Sequence, residues 1–199
     1  REHRLVPTMA RKWRQINKFV EIIDHALDSA GLKQRDASQP LRVLDFGAGK
    51  GYLTFALHDH LTHSLGRAAE VTGVELRADL VALTEGIARR LQAGGAAAPG
   101  LHFREGDVRS FALPATLDLM IALHACDTAT DHALHAGIVA QAALIVAAPC
   151  CHKQLRPQMC CPPPLAPMLR HGIHLGEQAE MLTDALRALW LEAQGRSEE

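Results

Sequence analysis

The sequence predicts an α/β fold, a parallel sheet covered by helices on both faces. Three observations carry that reading. Apolar, strand-like runs alternate with amphipathic helical stretches along the whole chain. The strand-like runs are continuously apolar, as in strands buried on both sides. The first of them runs directly into a glycine-rich turn, 41-LRVLDFGAGKG-51, followed by a helical pattern. The 199 residues suffice for one domain with a sizeable core. A balance of 48% hydrophobic to 22% charged residues is that of an ordinary globular chain.

The elements follow in order. Trp13, Ile16, Phe19, Val20, Ile23 and Leu27 recur at three-to-four spacing and predict a lead helix. Ser38–Gln39–Pro40 breaks the chain before the first strand, LRVLDF, and a helix continues from Thr54 to Leu65. AEVTGVEL is a second strand ending at Glu75, followed by a helix over 79–92 and a glycine-rich surface loop. LHFREGD is a third strand ending at Asp107. LDLMIALHACD is a fourth, apolar through Leu123, followed by a helix over 128–141. ALIVAAPCCHK is a fifth, CCPPPLAP an irregular connector, and residues 176–193 a last helix. This divides the chain into a helical lead segment, 1–40, and a sheet domain, 41–199.

Charge is nearly balanced, with a formal net value of −1, so bulk composition carries no nucleic-acid signature. It is unevenly placed, however. Arg1, Arg4, Arg11, Lys12, Arg14 and Lys18 face only Glu2 within the first 18 residues. This is either a solvated basic helix or an anion-facing edge. No apolar stretch approaches the roughly 20 residues of a membrane helix, so no membrane partner is expected. The opening residues lack an apolar signal-peptide core. Five cysteines, in part as the adjacent pairs Cys150–Cys151 and Cys160–Cys161, do not form a secreted disulfide pattern. A reduced, cytoplasmic setting is expected. The chain starts without Met and stops soon after a helix, so a longer parent chain is expected too.

Three ligands compete for the glycine turn. A P-loop requires G-x-x-x-x-G-K-[S/T], but Gly49–Lys50 is followed by Gly51. The dinucleotide fingerprint G-x-G-x-x-G can begin at Gly47, but Tyr52 stands at its sixth place. What remains is D-x-G-x-G-x-G, with Asp45, Gly47, Gly49 and Gly51. This pattern resembles motif I of the class I S-adenosylmethionine-dependent methyltransferases. Their Rossmann-like, doubly wound sheet is the fold the resemblance implies, and S-adenosylmethionine is the implied cofactor. Glycines admit the methionyl part of that cofactor because no Cβ intervenes. The carboxylate of Asp45 attracts its ammonium group and would repel a diphosphate.

In the same family an acid ending the second strand holds the ribose hydroxyls, which points to Glu75. An Asp side chain and the next N–H after the third strand hold the adenine, which points to Asp107 and Val108. Leu123, closing the fourth strand, completes the expected cofactor contacts. Glu75 as a solvated acid and Asp107 as plain turn chemistry after Gly106 remain open.

A second group of residues ends the fourth and fifth strands: HACDT at 124–128 and PCCHK at 149–153. Ligands in open α/β sheets bind at the carboxyl ends of the strands, so both should line the same mouth as the glycine turn. The plainer readings are helix capping by Asp127 or Thr128 with Asp131, buried cysteines acting as small hydrophobes, and structural histidines. A zinc site lacks any C-x-x-C spacing, and no metal is expected.

HACDT with PCCHK resembles a subgroup of methyltransferase-domain proteins related to methyltransferase-like proteins, tRNA 2′-O-methyltransferases and glutathione S-transferase C-terminal-domain-containing proteins. The resemblance spans about residues 11–192 and implies that Lys12 and Gln15 close over the cofactor. His124 or Asp127 is expected to orient or deprotonate the acceptor, with Cys150 and His152 shaping the opposite wall. Two features depart from the wider family. The D/N-P-P-Y/F clamp of amino-methylating enzymes reads HACD here, and no sixth or seventh strand follows the last helix. The expected activity is methyl transfer to a macromolecule, RNA ahead of protein and a small molecule third. A cofactor-binding module without catalysis is the alternative. The sequence leaves oligomeric state open.

Overall fold

The structure is a computed structural model that describes residues 7–93, 99–123, 125–149 and 152–197. The predicted alternation is present throughout. Helix α1 spans Ala10–Ser29, strand β1 Leu41–Phe46, α2 Tyr52–Asp59 with a π-turn over 60–64, β2 Ala69–Glu75, and α3 Ala78–Ala93. There follow β3 Leu101–Glu105, β4 Leu119–Ala122, α4 Thr128–Val139, β5 Leu144–Ala147, the short α5 Ala166–Leu169, and α6 Gly172–Ala193.

The five strands form one parallel sheet in the order β3-β2-β1-β4-β5. The chain steps outward from β1 to β3, then crosses back to place β4 on β1's other side. The reversal between β1 and β4 leaves a crevice at their carboxyl ends, where ligands bind in such sheets.

Alternation along each strand divides the core into two layers. Leu41, Val43, Val71, Phe103 and Ile121 face α1, α2 and α3, packing on Ile16, Ile23, Leu27, Leu57 and Ala88. Leu44, Phe46, Val74, Met120 and Ala122 face α4, packing on Ala133 and Ala136. The lead helix thus shares the sheet's core.

Three differences from the expected elements have physical reasons. β3 ends at Glu105, two residues before Asp107, because the carbonyl of Glu75 takes the Gly106 N–H and the chain then turns. β4 stops at Ala122, since its parallel partner β5 ends at Ala147. α6 starts at Gly172, one turn earlier than the pattern suggested. No helix lies between β3 and β4. Residues 106–118 cover that face instead, with the Phe111 ring edge-on to Phe46 at 5.8 Å between centroids.

Long-range ion pairs fasten the linker before β1. Arg35 pairs bidentately with Asp118 at the start of β4, and Asp118 Oδ2 also accepts the Arg42 N–H at 2.8 Å. Burial alone would raise the Asp118 carboxyl, but these donors hold it below its ordinary value.

Candidate functional site

The glycine turn is built by backbone conformations that side chains oppose. Gly47, Gly49 and Gly51 all have positive φ, at 75°, 57° and 70°. At Gly51 a Cβ would also lie 2.8 Å from the Phe103 ring. Gly51 therefore lets α2 start in contact with the sheet and is not itself part of the cleft wall. A Cβ on Gly49 would meet nothing nearer than a backbone oxygen at 3.8 Å, so that glycine leaves open room.

The turn borders a cleft of about 830 Å³ at the carboxyl edge of the sheet. Asp45, Gly47, Gly49, Glu75, Asp107, Val108 and Leu123 all line it. The loops after β1, β2, β3 and β4 converge here because parallel strands deliver their carboxyl ends to one edge.

Three acids in this cleft have different environments. Asp45 is 4% exposed, and Oδ2 accepts the Thr54 hydroxyl at 2.7 Å. Burial pushes its carboxyl up to about 7, against the smaller opposing effect of the Thr54 hydrogen bond. Glu75 braces the turn: Oε2 accepts the Gly49 N–H at 2.9 Å and Oε1 the Arg77 N–H at 3.1 Å. Asp107 is engaged by Arg109, through its guanidinium and through its backbone N–H at 2.9 Å. The Arg109 hydrogen bonds hold that carboxyl well below the usual range. The turn-chemistry reading of Asp107 is thus realised, and its carboxylate has a partner in the protein.

Helix α1 supplies another wall. Lys12, Gln15, Ile16 and Phe19 line the cleft, and the Lys12 ammonium lies 4.4 Å from the centroid of the Tyr52 ring.

The residues after β4 and β5 are disposed differently. His124, Cys150 and Cys151 lie outside the described residues. Asp127 occupies the N-cap position of α4 but makes no side-chain cap. Its Oδ1 accepts the Gln154 N–H at 3.2 Å, and its backbone has φ 56° and ψ −128°, a strained conformation for a non-glycine residue. The Asp131 expected to share in capping is instead taken by Arg187 of α6 at 2.6 Å. His152 does not line the cleft. Its side chain is 6% exposed, with Glu180 Oε1 at 3.8 Å and Asp184 Oδ1 at 4.0 Å, both on α6, and neither ring nitrogen has a hydrogen-bond partner.

Sequence reasoning missed several cleft residues. Thr54, which holds Asp45, stands in the first turn of α2 facing the strand it follows, so helical spacing could have found it. Arg109 and His132 also face the cleft, and no local pattern marks them, whereas Cys126 of HACDT lines it from the motif the sequence singled out.

A profile of a family described as a methyltransferase domain matches residues 11–158, well over half of the chain. No curated protein matches. Among solved structures, the WbdD structure at 2.2 Å has 21% identity over 54% of this chain and 22% of its own, with a TM-score of 0.40. The citrinin polyketide synthase CMeT domain has 23% identity over 59% of this chain and 31% of its own, TM-score 0.44. CalS10, an amino pentose methyltransferase from Micromonospora echinaspora solved with SAM bound, has 22% identity over 75% of this chain and 59% of its own, TM-score 0.44. The chain thus spans less than two thirds of the length of each.

The cleft fits S-adenosylmethionine. A buried carboxyl poised near neutrality suits an arriving ammonium, glycine backbone leaves room beside it, and Glu75 stands at the end of the neighbouring strand. With the family profile covering this cleft and the sheet that forms it, the chain belongs to the methyltransferase-domain family, and S-adenosylmethionine is its cofactor.

Proposed function

We propose that this chain is a methyltransferase that acts on RNA. The observation that supports the acceptor class is the position of α1. Lys12 stands at the rim of the cofactor cleft, while Arg11 and Arg14 are exposed beside it in the same helix. In a chain of net charge −1, such a cationic edge next to the mouth is suited to phosphate contacts that bring an acceptor in. Few aromatic residues accompany it, only 4% of the chain, so stacking contributes at isolated points rather than as a platform.

When bound, S-adenosylmethionine supplies an electrophilic methyl on a sulfonium, lost by in-line displacement. The chain's own residues do the rest. Asp45 holds the ammonium, with Thr54 fixing the orientation of its carboxyl. Lys12 and Gln15 close over the methionyl end. Glu75 takes the ribose hydroxyls, and Asp107 with the Val108 N–H takes the adenine edge once Arg109 yields. Leu123 packs beneath. His124 is assigned the acceptor's proton, and Cys150 a supporting role beside the acceptor. Asp127 acts by holding residue 154 against α4, and His152 by its place against α6, so both position rather than touch the acceptor.

Calorimetry with S-adenosylhomocysteine, then transfer of tritiated methyl to bulk RNA and to bulk protein, tests the reading. Saturable binding with label in RNA is expected. Label confined to protein would overturn the acceptor class, and binding with no labelled product would identify a non-catalytic module.

A further inference from the structure

A second cavity, of about 340 Å³, opens between α4 and α6, and His132 lines both it and the cofactor cleft. One wall is aromatic and apolar. The rings of His135 and Trp190 stand 6.3 Å apart at 33°, beside Leu155 and Leu186. The other wall is polar. The buried Arg187 donates from Nε to Asp131 Oδ1 at 2.6 Å and from Nη1 to Asp184 Oδ1 at 3.1 Å. Of the two acids only Asp131 lines the cavity; both its oxygens accept from Arg187, at 2.6 and 3.3 Å, and its remaining lone pairs are open because the side chain is close to half exposed. Size and composition are those of small-ligand sites: mainly apolar and aromatic walls with a few convergent polar groups.

We propose that this cavity is a base-binding subsite, holding a nucleobase that flanks the methylated position. The inference rests on the RNA-acceptor reading and names one of its contacts. A nucleobase is a flat plate that stacks on an indole face, and its exocyclic amine gives a donor to Asp131. Phosphates find no free guanidinium inside, because Arg187 is taken up by Asp131, Asp184 and the Asp127 carbonyl. They fit the exposed Lys153 and Arg156, which adjoin the wall residue Leu155 in sequence. The base is a flanking one because of where the cavity joins the cleft. His132 lines the cleft together with Asp107, the residue assigned above to the adenine. The methionyl end would be held at the other side, by Asp45, the glycine turn and Tyr52.

Trp190 is its own reporter, as the chain has only two tryptophans. Trp13→Phe leaves a single indole, and the titration uses a mixed-sequence RNA hexamer with S-adenosylhomocysteine saturating the cleft. Saturable quenching of Trp190 is expected. Leu186→Glu, at a position 58% exposed, and His135→Ala should each weaken the hexamer about five- to tenfold, consistent with loss of one stacked base, and leave S-adenosylhomocysteine affinity unchanged. Absence of saturable quenching, or equal affinity in both variants, overturns the subsite. So does quenching by an arginine-rich peptide but not by RNA, which would make the cavity a guanidinium site. Quenching that the variants abolish, combined with no methylated RNA, would sink the acceptor reading and leave a base-binding cavity. Methylated RNA without quenching would sink the subsite alone.

Discussion

The turn after β1 and the junction after β4 bring chemistry to the same edge of the sheet by different means. The turn is backbone work: three glycines at positive φ, an acid two residues before the first of them, and braces from Glu75 and Thr54. The junction is held by side chains from far along the chain. Arg187 reaches from α6 to the Asp127 carbonyl at 3.1 Å and to Asp131, and Gln154 ties down the Asp127 carboxylate. A site made of backbone tolerates change in its surroundings and almost none in its own residues. A site made of distant side chains can be weakened from outside its own motif.

The largest expected effect lies in the turn. Gly51→Val combines an unfavourable left-handed conformation with a Cβ 2.8 Å from Phe103, and should destabilise the fold by roughly 3 kcal/mol. Thermal unfolding measures it, and an unchanged Tm would show that the turn relaxes more easily than its geometry implies.

Asp45→Asn should separate binding from stability. Affinity for S-adenosylhomocysteine should fall at least about a hundredfold, as expected for loss of a buried charge partner. Stability should move the other way. The native Asp45 carboxyl, near 7, holds its proton more tightly than the unfolded chain does, so ionisation weakens the wild-type fold as pH rises from about 4 to 7. The variant lacks that penalty, so its Tm advantage should grow over this range and stay constant above it. A Tm difference that is flat with pH would refute the raised pKa. The same group should make wild-type affinity rise about tenfold per pH unit below 7 and level off above, a trend absent in the variant.

At the junction, Arg187→Ala should cost about 2 kcal/mol, less than a fully buried pair because both carboxylates remain partly in water. The local comparison sharpens further if its effect on S-adenosylhomocysteine affinity is only about threefold, as expected of a residue acting through Asp127. A hundredfold loss would put α6 within the cofactor site.

The smallest effect should come from Arg109→Ala. It frees Asp107, so S-adenosylhomocysteine affinity should rise by up to about threefold if that carboxylate meets the adenine. A fall would mean that the Asp107–Arg109 pair itself is the binding element.

Much of this was legible in local residue order. The period of Ile16, Ile23 and Leu27 on α1 marked a helix with one buried face, and the continuous apolar runs marked parallel strands. Asp45 and the three glycines signalled their turn because its conformations exclude most side chains. Glu75, Asp107 and Leu123 were reachable because a strand end is defined by where an apolar run stops. Of the HACDT and PCCHK motifs, Cys126 and Thr128 line the cleft, whereas Asp127 and His152 turn toward Gln154 and α6. Nothing local could foretell that, since the residues receiving them lie 27 or more positions away.

What the sequence determined by itself was the order of strands and helices and the glycine-built cradle, because hydrophobic period and steric exclusion act between near neighbours. What tertiary structure alone decided was which distant charges meet: Arg187 with Asp131, Arg35 with Asp118, Lys12 with the Tyr52 ring. Such pairings depend on how far packed helices carry a side chain, and that distance is set only when the core has closed.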